Sequence, residues 1–365
     1  MDLYKIRKDL HQIPELGFQE YKTTKYIKSV LSGFSELEIH EFDFPGLLVE
    51  YKKNKGKYKI FRADMDALPI QEANQCDFVS IHHGKMHACG HDIHMTILIG
   101  LIEKVIKNQP DQNVLFLFQP AEEGYGGAER ILNTGMLDNF EISEAFALHV
   151  NGHLPVGTIE SKPGVFFANT QEISVKFIGR SAHVAFPQNG RNALAAGADF
   201  YLNLQEKIQQ QFPNHSKAIC EFGFMQAGTV MNAIAAECNL DGTMRAFEEE
   251  DWQKVHQLLK TTAAESAKKY DLKHEIIYKS YYKRVVNNKQ LHRKLEETAK
   301  NLGVNYIQGH AVFTGEDFGY LTDKYKGILF WLGVHSGTKM DLHSPDFLPD
   351  KKAIDVGVKV LYSMI

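Results

Sequence analysis

The sequence predicts an α/β protein, built on a mixed sheet flanked by helices and interrupted by a smaller α+β module. Three observations carry that reading. Four near-continuous apolar runs, KYKIFRA (57–63), NVLFLFQ (113–119), EAFALHV (144–150) and GILFWLGV (327–334), are separated by helical stretches. Strands buried on both faces have this pattern. Between residues 169 and 281 the pattern shifts to half-buried alternation, which suits an antiparallel sheet with one wet face. Finally, 365 residues with 44% hydrophobic content favour two domains over one.

Taken in order, apolar positions at Leu3, Ile6 and Leu10, then Tyr26, Ile27 and Val30, predict helices within the first ~30 residues. KYKIFRA reads as a strand that runs into Asp64 and Asp66 of RADMDALP. A glycine-flanked loop carrying Cys89 and His91 then opens a helix near His94. NVLFLFQ runs into Glu122 and Glu123 of QPAEEGYGG, and EAFAL runs into His149.

The middle of the chain reads as strand 171–179, helix 192–210, strands 218–228 and 237–247, helix 251–269 and strand 273–280. That order, strand–helix–strand–strand–helix–strand, is ferredoxin-like. It sits between pieces of the first pattern. The expectation is therefore a discontinuous catalytic domain, 1–168 and 282–365, with an inserted domain at 169–281. The last strand, GILFWLGV, leads through a short loop to His343 of LHSPDF.

Charge and cysteine content exclude several functions. The 41 basic and 45 acidic residues are well mixed, for a net charge of −4, so no basic stripe points to nucleic acid. The N-terminal MDLYKIRKDLHQ lacks the apolar core of a signal peptide. No run approaches the ~18 apolar residues of a membrane span. Cys76, Cys89, Cys220 and Cys238 are too few and scattered for a disulfide framework. A reduced, cytoplasmic setting follows as the expectation, with Cys220 and Cys238 as buried thiols and Cys89 available as a ligand.

In open α/β sheets, ligands bind where the carboxyl ends of strands converge. Here those ends carry carboxylates, imidazoles and one thiol. Such a mixture suits Zn²⁺, or Co²⁺ or Mn²⁺. A pair of such ions can polarise an amide carbonyl and activate a water, provided one carboxylate stays unligated to move the proton. Adjacent side chains diverge, so Glu123 is assigned to metal and Glu122 to proton transfer. Taken singly, Asp64 and Asp66 would read as caps and His149 as a core histidine. His87 and His94 read as hydrogen-bonding partners or helix-surface residues rather than ligands. The histidines at 40, 82, 83, 215, 256, 274 and 292 carry no site signal and read as surface residues.

The segments LHQIPELGFQE, RADMDALPI, MHACGHDIHM, FQPAEEGYGGA, ALHV, FANTQE, GRSAHVAFP, FTGEDFGY and LHSPDF, with the Asn232–Arg245 region, together resemble the M20 metallopeptidase-like amidohydrolases. The likeness runs along nearly the whole chain and is closest to the branch of hippurate and auxin-conjugate hydrolases. It implies a zinc-peptidase-like catalytic domain, an inserted lid domain through which a homodimer forms, and two divalent metal ions. Carried over by position, the ligands are Cys89, His91, Glu123, His149 and His343, with Glu122 as general base. Much of the family has His-x-Asp where this chain has Asp64 and Asp66. The metal-binding histidine is therefore replaced, and Asp66 is favoured as the orienting carboxylate, with Asp64 sharing that role or standing behind it. His183 is implied to reach an active site and stabilise the oxyanion. Asn232 and Arg245, and less strongly Arg191, resemble contacts to a substrate carboxylate.

Within the branch, ALHV, FANTQE and TGEDFGY are most similar to enzymes that remove acetate from N-acetyl-LL-2,6-diaminopimelate on a route to lysine. The alternatives are a general N-acyl-amino-acid or hippurate-type amidohydrolase, a dipeptidase, and an inactive small-molecule-binding homologue.

Overall fold

Four strands form the middle of the main sheet and place the site: Asn113–Gln119, Tyr58–Asp64, Ile142–Pro155 and Lys326–His335, in that spatial order and mutually parallel. They are the four apolar runs of the sequence. Every residue of Asn113–Gln119 is buried, as a central parallel strand requires. Phe61, Phe116, Phe118 and Phe146 lie in one core with side chains of the helices Leu3–His11, His91–Asn108, Lys289–Leu302 and Lys352–Tyr362. Each such phenylalanine contributes about 1.5–3 kcal/mol by leaving water. The helix His91–Asn108 is buried without a break from His91 to Ile102, which explains its weak polar/apolar periodicity.

These strands belong to a ten-stranded mixed sheet in the computed structural model, which describes residues 1–365. The chain divides into two compact units. One comprises Met1–Phe166, Val285–Ala311 and Glu316–Ile365; the other comprises Phe167–Arg284 with Val312–Gly315. The first unit also holds an antiparallel hairpin, Leu37–Glu41 with Leu47–Tyr51, which the sequence reading did not single out. Leu47–Tyr51 is wholly buried although it contains Glu50. That carboxylate is satisfied by the Tyr58 hydroxyl at 2.5 Å, with His40 3.2 Å away.

Two boundaries differ from expectation. The strand through His149 continues to Pro155, because its pairing with Lys326–His335 extends beyond that histidine. The helix expected near His94 starts at His91, capped by Gly90 at φ 80° with no side-chain cap. No capping residue marks that start in the sequence.

The second unit has the strand order Lys273–Tyr282, Asn169–Ile178, Glu237–Ala246, Ala218–Ala227, all antiparallel. Its helices Ala193–Gln211 and Glu249–Lys269 pack on this sheet. Connectivity and strand order are those of a ferredoxin-like module.

Candidate metal centre

Parallel pairing sets Asp64 opposite Gln119 and His149 opposite Trp331, so the carboxyl ends of adjacent strands present their side chains together. The structure brings Cys89, His91, Glu123, His149 and His343 into one cluster. The donor atoms of Cys89, His91 and His149 lie within 4.8 Å of one another, as do those of Cys89, Glu123 and His343. Cys89 is common to both groups. Its Sγ is 3.4 Å from His149 Nε2, and His343 Nε2 is 3.3 Å from Glu123 Oε1.

The local fold fixes which ring nitrogen each histidine offers. His91 Nδ1 donates to the Asp66 carbonyl at 2.8 Å, and His149 Nδ1 donates to the Val150 carbonyl at 2.9 Å. In each ring Nε2 is then the nitrogen left facing the cluster, and it offers a lone pair once deprotonated. His91 Nε2 is buried and makes no hydrogen bond within the chain, and Glu123 Oε1 is buried with the 3.3 Å approach of His343. Such groups are costly unless a ligand satisfies them. Together with the mixed S, N and O donors, they fit a borderline divalent ion.

His94 is different. Its Nδ1 donates to Asp64 Oδ1 at 2.5 Å and its Nε2 accepts from the Val150 N–H at 3.0 Å. Both nitrogens are used, so His94 holds the strand carrying His149 rather than a metal. His87 is buried with neither ring nitrogen hydrogen-bonded, and burial pushes its pKa down to about 3.

The two aspartates of RADMD serve different histidines. Asp66 supports His91 through its carbonyl, with Oδ1 3.3 Å from the same Nδ1. Its Oδ2 accepts from the Glu123 N–H at 2.9 Å. Asp64 pairs with His94 and with Arg62 Nη1 at 2.6 Å.

Charge is concentrated here. Burial works against a charged His91, yet Asp64, Asp66 and Glu123 outweigh it and raise its pKa to about 10. For His149 burial dominates, and His94 adds to it, giving about 3. Burial, then Glu123 and Glu122, push the Cys89 thiol well up. Glu122 is also raised, by burial and then by Glu316, Glu123 and Asp317. A carboxyl so disposed binds a proton more tightly than an exposed one does.

Beneath these groups lies a network that the sequence reading missed. Arg62, wholly buried, meets Asp64, Asp317 at 2.8 Å and Glu316 at 3.0 Å, and its Nε donates to Gln119 at 2.9 Å. Its signals were present in the sequence: an arginine inside an apolar strand, and two acids in FTGEDFGY. A second buried group joins Arg7 and His11 of the first helix to Asp92 at 3.1 and 2.9 Å, and His11 to Glu72 at 3.0 Å. Among the histidines read as surface residues, His292 is instead buried, 2.6 Å from the Tyr306 hydroxyl.

The remaining candidates lie in the second unit. His183 and Asn232 are exposed neighbours on a short ribbon, where Val184 N–H donates to the Asn232 carbonyl at 3.1 Å and His183 bridges Ala233. Arg245 is half-buried and donates to the Phe313 carbonyl at 2.5 Å. Arg191 is engaged by Asp271 at 2.5 Å.

An α/β sheet that gathers buried thiol, imidazole and carboxylate donors at its strand ends, beside a second buried glutamate, has the donor set of a metal-dependent hydrolase. The chain belongs to peptidase family M20/M25/M40, whose model matches residues 60–365. It is 40% identical to N-acetyldiaminopimelate deacetylase of Bacillus pumilus over 362 residues, covering 98% of this chain and 96% of the relative. The Bacillus subtilis protein of the same name is 37% identical over 364 residues, at 99% and 96% coverage. A dinuclear metal-binding peptidase of the M20 family from Bacillus subtilis superposes with a TM-score of 0.85 at 31% identity, covering 99% of this chain and 96% of that one. No helix is long and apolar enough to cross a membrane.

Proposed function

We propose that this protein hydrolyses N-acetyl-LL-2,6-diaminopimelate to acetate and LL-2,6-diaminopimelate, with divalent metal held by Cys89, His91, Glu123, His149 and His343. The observation that carries the chemistry is the Glu122–Glu123 pair. One carboxylate joins the donor cluster, while the other is buried beside it with its proton affinity raised. The choice of substrate is supported by the full-length likeness to deacetylases of that name.

Ions bound there, two in number and Zn²⁺, Co²⁺ or Mn²⁺ by the donor chemistry, supply Lewis acidity towards the acyl oxygen and the attacking water. Glu122 takes the proton as the water oxygen bonds to the acyl carbon. It then delivers that proton to the amine nitrogen as the C–N bond breaks, giving acetate and a free amine. Asp66 keeps His91 in the tautomer that offers Nε2. Asp64 acts through His94 on the strand bearing His149. His183 donates to the acyl oxyanion. Arg245 and Asn232 receive the substrate carboxylate, and Arg191 is the weakest candidate because Asp271 already engages it.

The inserted unit serves as a lid and a homodimer contact. In support, its edge strand Ala218–Ala227 exposes Phe224 and Met225, and Val230 and Met231 are exposed nearby in the chain. Phe224→Glu should convert a dimer to monomer in sedimentation; a monomeric wild type would remove this part of the proposal. The cytoplasm is the proposed location, supported by four unpaired cysteines.

Glu122→Gln tests the chemistry. Acetate release should fall by at least the 10²–10⁴-fold that general-base catalysis supplies, with bound metal unchanged. Near-normal kcat would contradict the assignment.

A further inference from the structure

The two glutamates stand on a segment whose backbone is unusual along its length. Between the strand Asn113–Gln119 and the helix Gly127–Asn133, Ala121 is at φ 58°, Gly124 at φ 89° and Gly126 at φ 68°, with Glu123 outside helical geometry. An alanine in the left-handed region is held there by its surroundings. The segment also closes on itself. Gly127 N–H donates to the Ala121 carbonyl at 3.0 Å, and a Cβ on Gly127 would lie 1.8 Å from the Pro120 carbonyl oxygen.

Three carboxylates from three distant stretches accept backbone N–H groups of this loop. Glu20 Oε1 accepts from Ala121 at 2.8 Å, Asp66 Oδ2 from Glu123 at 2.9 Å, and Asp317 Oδ2 from Ala128 at 2.9 Å. Asp317 also accepts from the Gln119 side-chain amide with both oxygens at 2.8 Å, so it ties the backbone at the end of the turn to a side chain at its start. Glu20 is fully buried. The N-terminal LGFQE segment further seats Phe18 edge-on to Tyr125 at 6.5 Å, and a Cβ on Gly17 would collide with that ring.

We propose that Glu20 and Asp317 are positioning residues for the hydrolytic reaction, fixing the aim of Glu122 and Glu123 by holding the loop's backbone at Ala121 on its entry and at Ala128 on its exit. The idea rests on the roles given to those glutamates above. Neighbouring side chains diverge from one short backbone, so a peptide rotation at Ala121 or Glu123 redirects both. A misplacement of about 1 Å at reacting groups costs on the order of 10²-fold in rate.

The test compares Glu20→Ala, which removes the acceptor, with Glu20→Gln, which keeps an oxygen for Ala121. At saturating metal, Glu20→Ala should lower kcat on the order of 10²-fold with KM changed less than about threefold, while Glu20→Gln stays within about fivefold of wild type. In the metal-free proteins, amide hydrogen exchange of residues 119–128 should quicken at least about tenfold in Glu20→Ala and not in Glu20→Gln. Should Glu20→Ala fail to fold, Asp317→Ala, which removes the acceptor for Ala128, carries the same kcat and exchange expectations. Wild-type kcat in Glu20→Ala, equal impairment of both Glu20 variants, or unaltered exchange would overturn the inference. Wild-type protein that releases no acetate refutes the function proposed above, and the exchange comparison then decides this inference by itself.

Discussion

Replacing Arg62 by methionine removes one cation from a fully buried set of charges and leaves its partners in place. The side chain is 0% exposed, and its guanidinium meets Asp64 at 2.6 Å, Asp317 at 2.8 Å and Glu316 at 3.0 Å. Methionine fills similar volume, so the cost is mainly electrostatic. Breaking one buried ion pair by deleting a partner costs about 3–5 kcal/mol, because the remaining charge stays uncompensated. For a unit of this size each kcal/mol is worth roughly 2–4 °C, so the melting temperature should fall by about 6–20 °C.

The deficit should also depend on pH in a defined direction. Burial pushes Glu316 up to about 7 and Asp317 up to about 6, even with Arg62 opposing it. Without Arg62 both rise further. The folded state then binds more protons than the unfolded state above the ordinary carboxylate range. Stability therefore increases as pH falls, and the deficit is larger at pH 8 than at pH 5. Adding Glu316→Gln and Asp317→Asn to Arg62→Met should restore part of the loss, with a coupling above about 1 kcal/mol. Calorimetry of the metal-free proteins at the two pH values is the assay. A loss under about 1 kcal/mol, or one independent of pH, would refute the reasoning.

Cys89→Ser should weaken metal binding by more than the 10–100-fold lost with an outer partner, and activity should fall with occupancy in a metal titration; unchanged stoichiometry and affinity would remove Cys89 from the ligands. His11 gives a second pH signature: burial opposes its charge, but Asp92 and Glu72 raise its pKa to about 9. Its contribution, at most about 3 kcal/mol, is present below pH 6.5 and lost as pH rises through 9. Comparing denaturant unfolding of wild type and His11→Asn should show that slope in the wild type alone, and matching slopes would contradict it.

The fold was readable in the sequence where burial is continuous. Four apolar runs became the four central parallel strands, and alternation in the middle of the chain became the antiparallel sheet of the second unit. The hairpin Leu37–Tyr51 was not readable, because the buried Glu50 disguises its second strand as half-exposed. At the site, donor chemistry at strand ends pointed to the residues that the fold gathers. Charged residues satisfied only across the fold stayed hidden. Glu20 looks like an ordinary surface charge until the Ala121 amide is brought against it, and neither the arginine inside an apolar strand nor the acids of FTGEDFGY reveal that Arg62 meets Asp64 and that Asp317 meets Gln119. The division of labour in RADMD was equally invisible. Asp66 serves His91 largely through a main-chain carbonyl, and main-chain atoms leave no mark on residue identity.

The most direct test is the amine-release rate of metal-reconstituted wild-type enzyme on N-acetyl-LL-2,6-diaminopimelate, hippurate, N-acetylmethionine and a dipeptide, with acetate followed for the two acetylated substrates. The acetylated substrates should give equimolar acetate and amine, with the highest kcat/KM for N-acetyl-LL-2,6-diaminopimelate and loss of turnover on chelation. A higher kcat/KM for hippurate or the dipeptide, or turnover that survives metal removal, would contradict the proposed function.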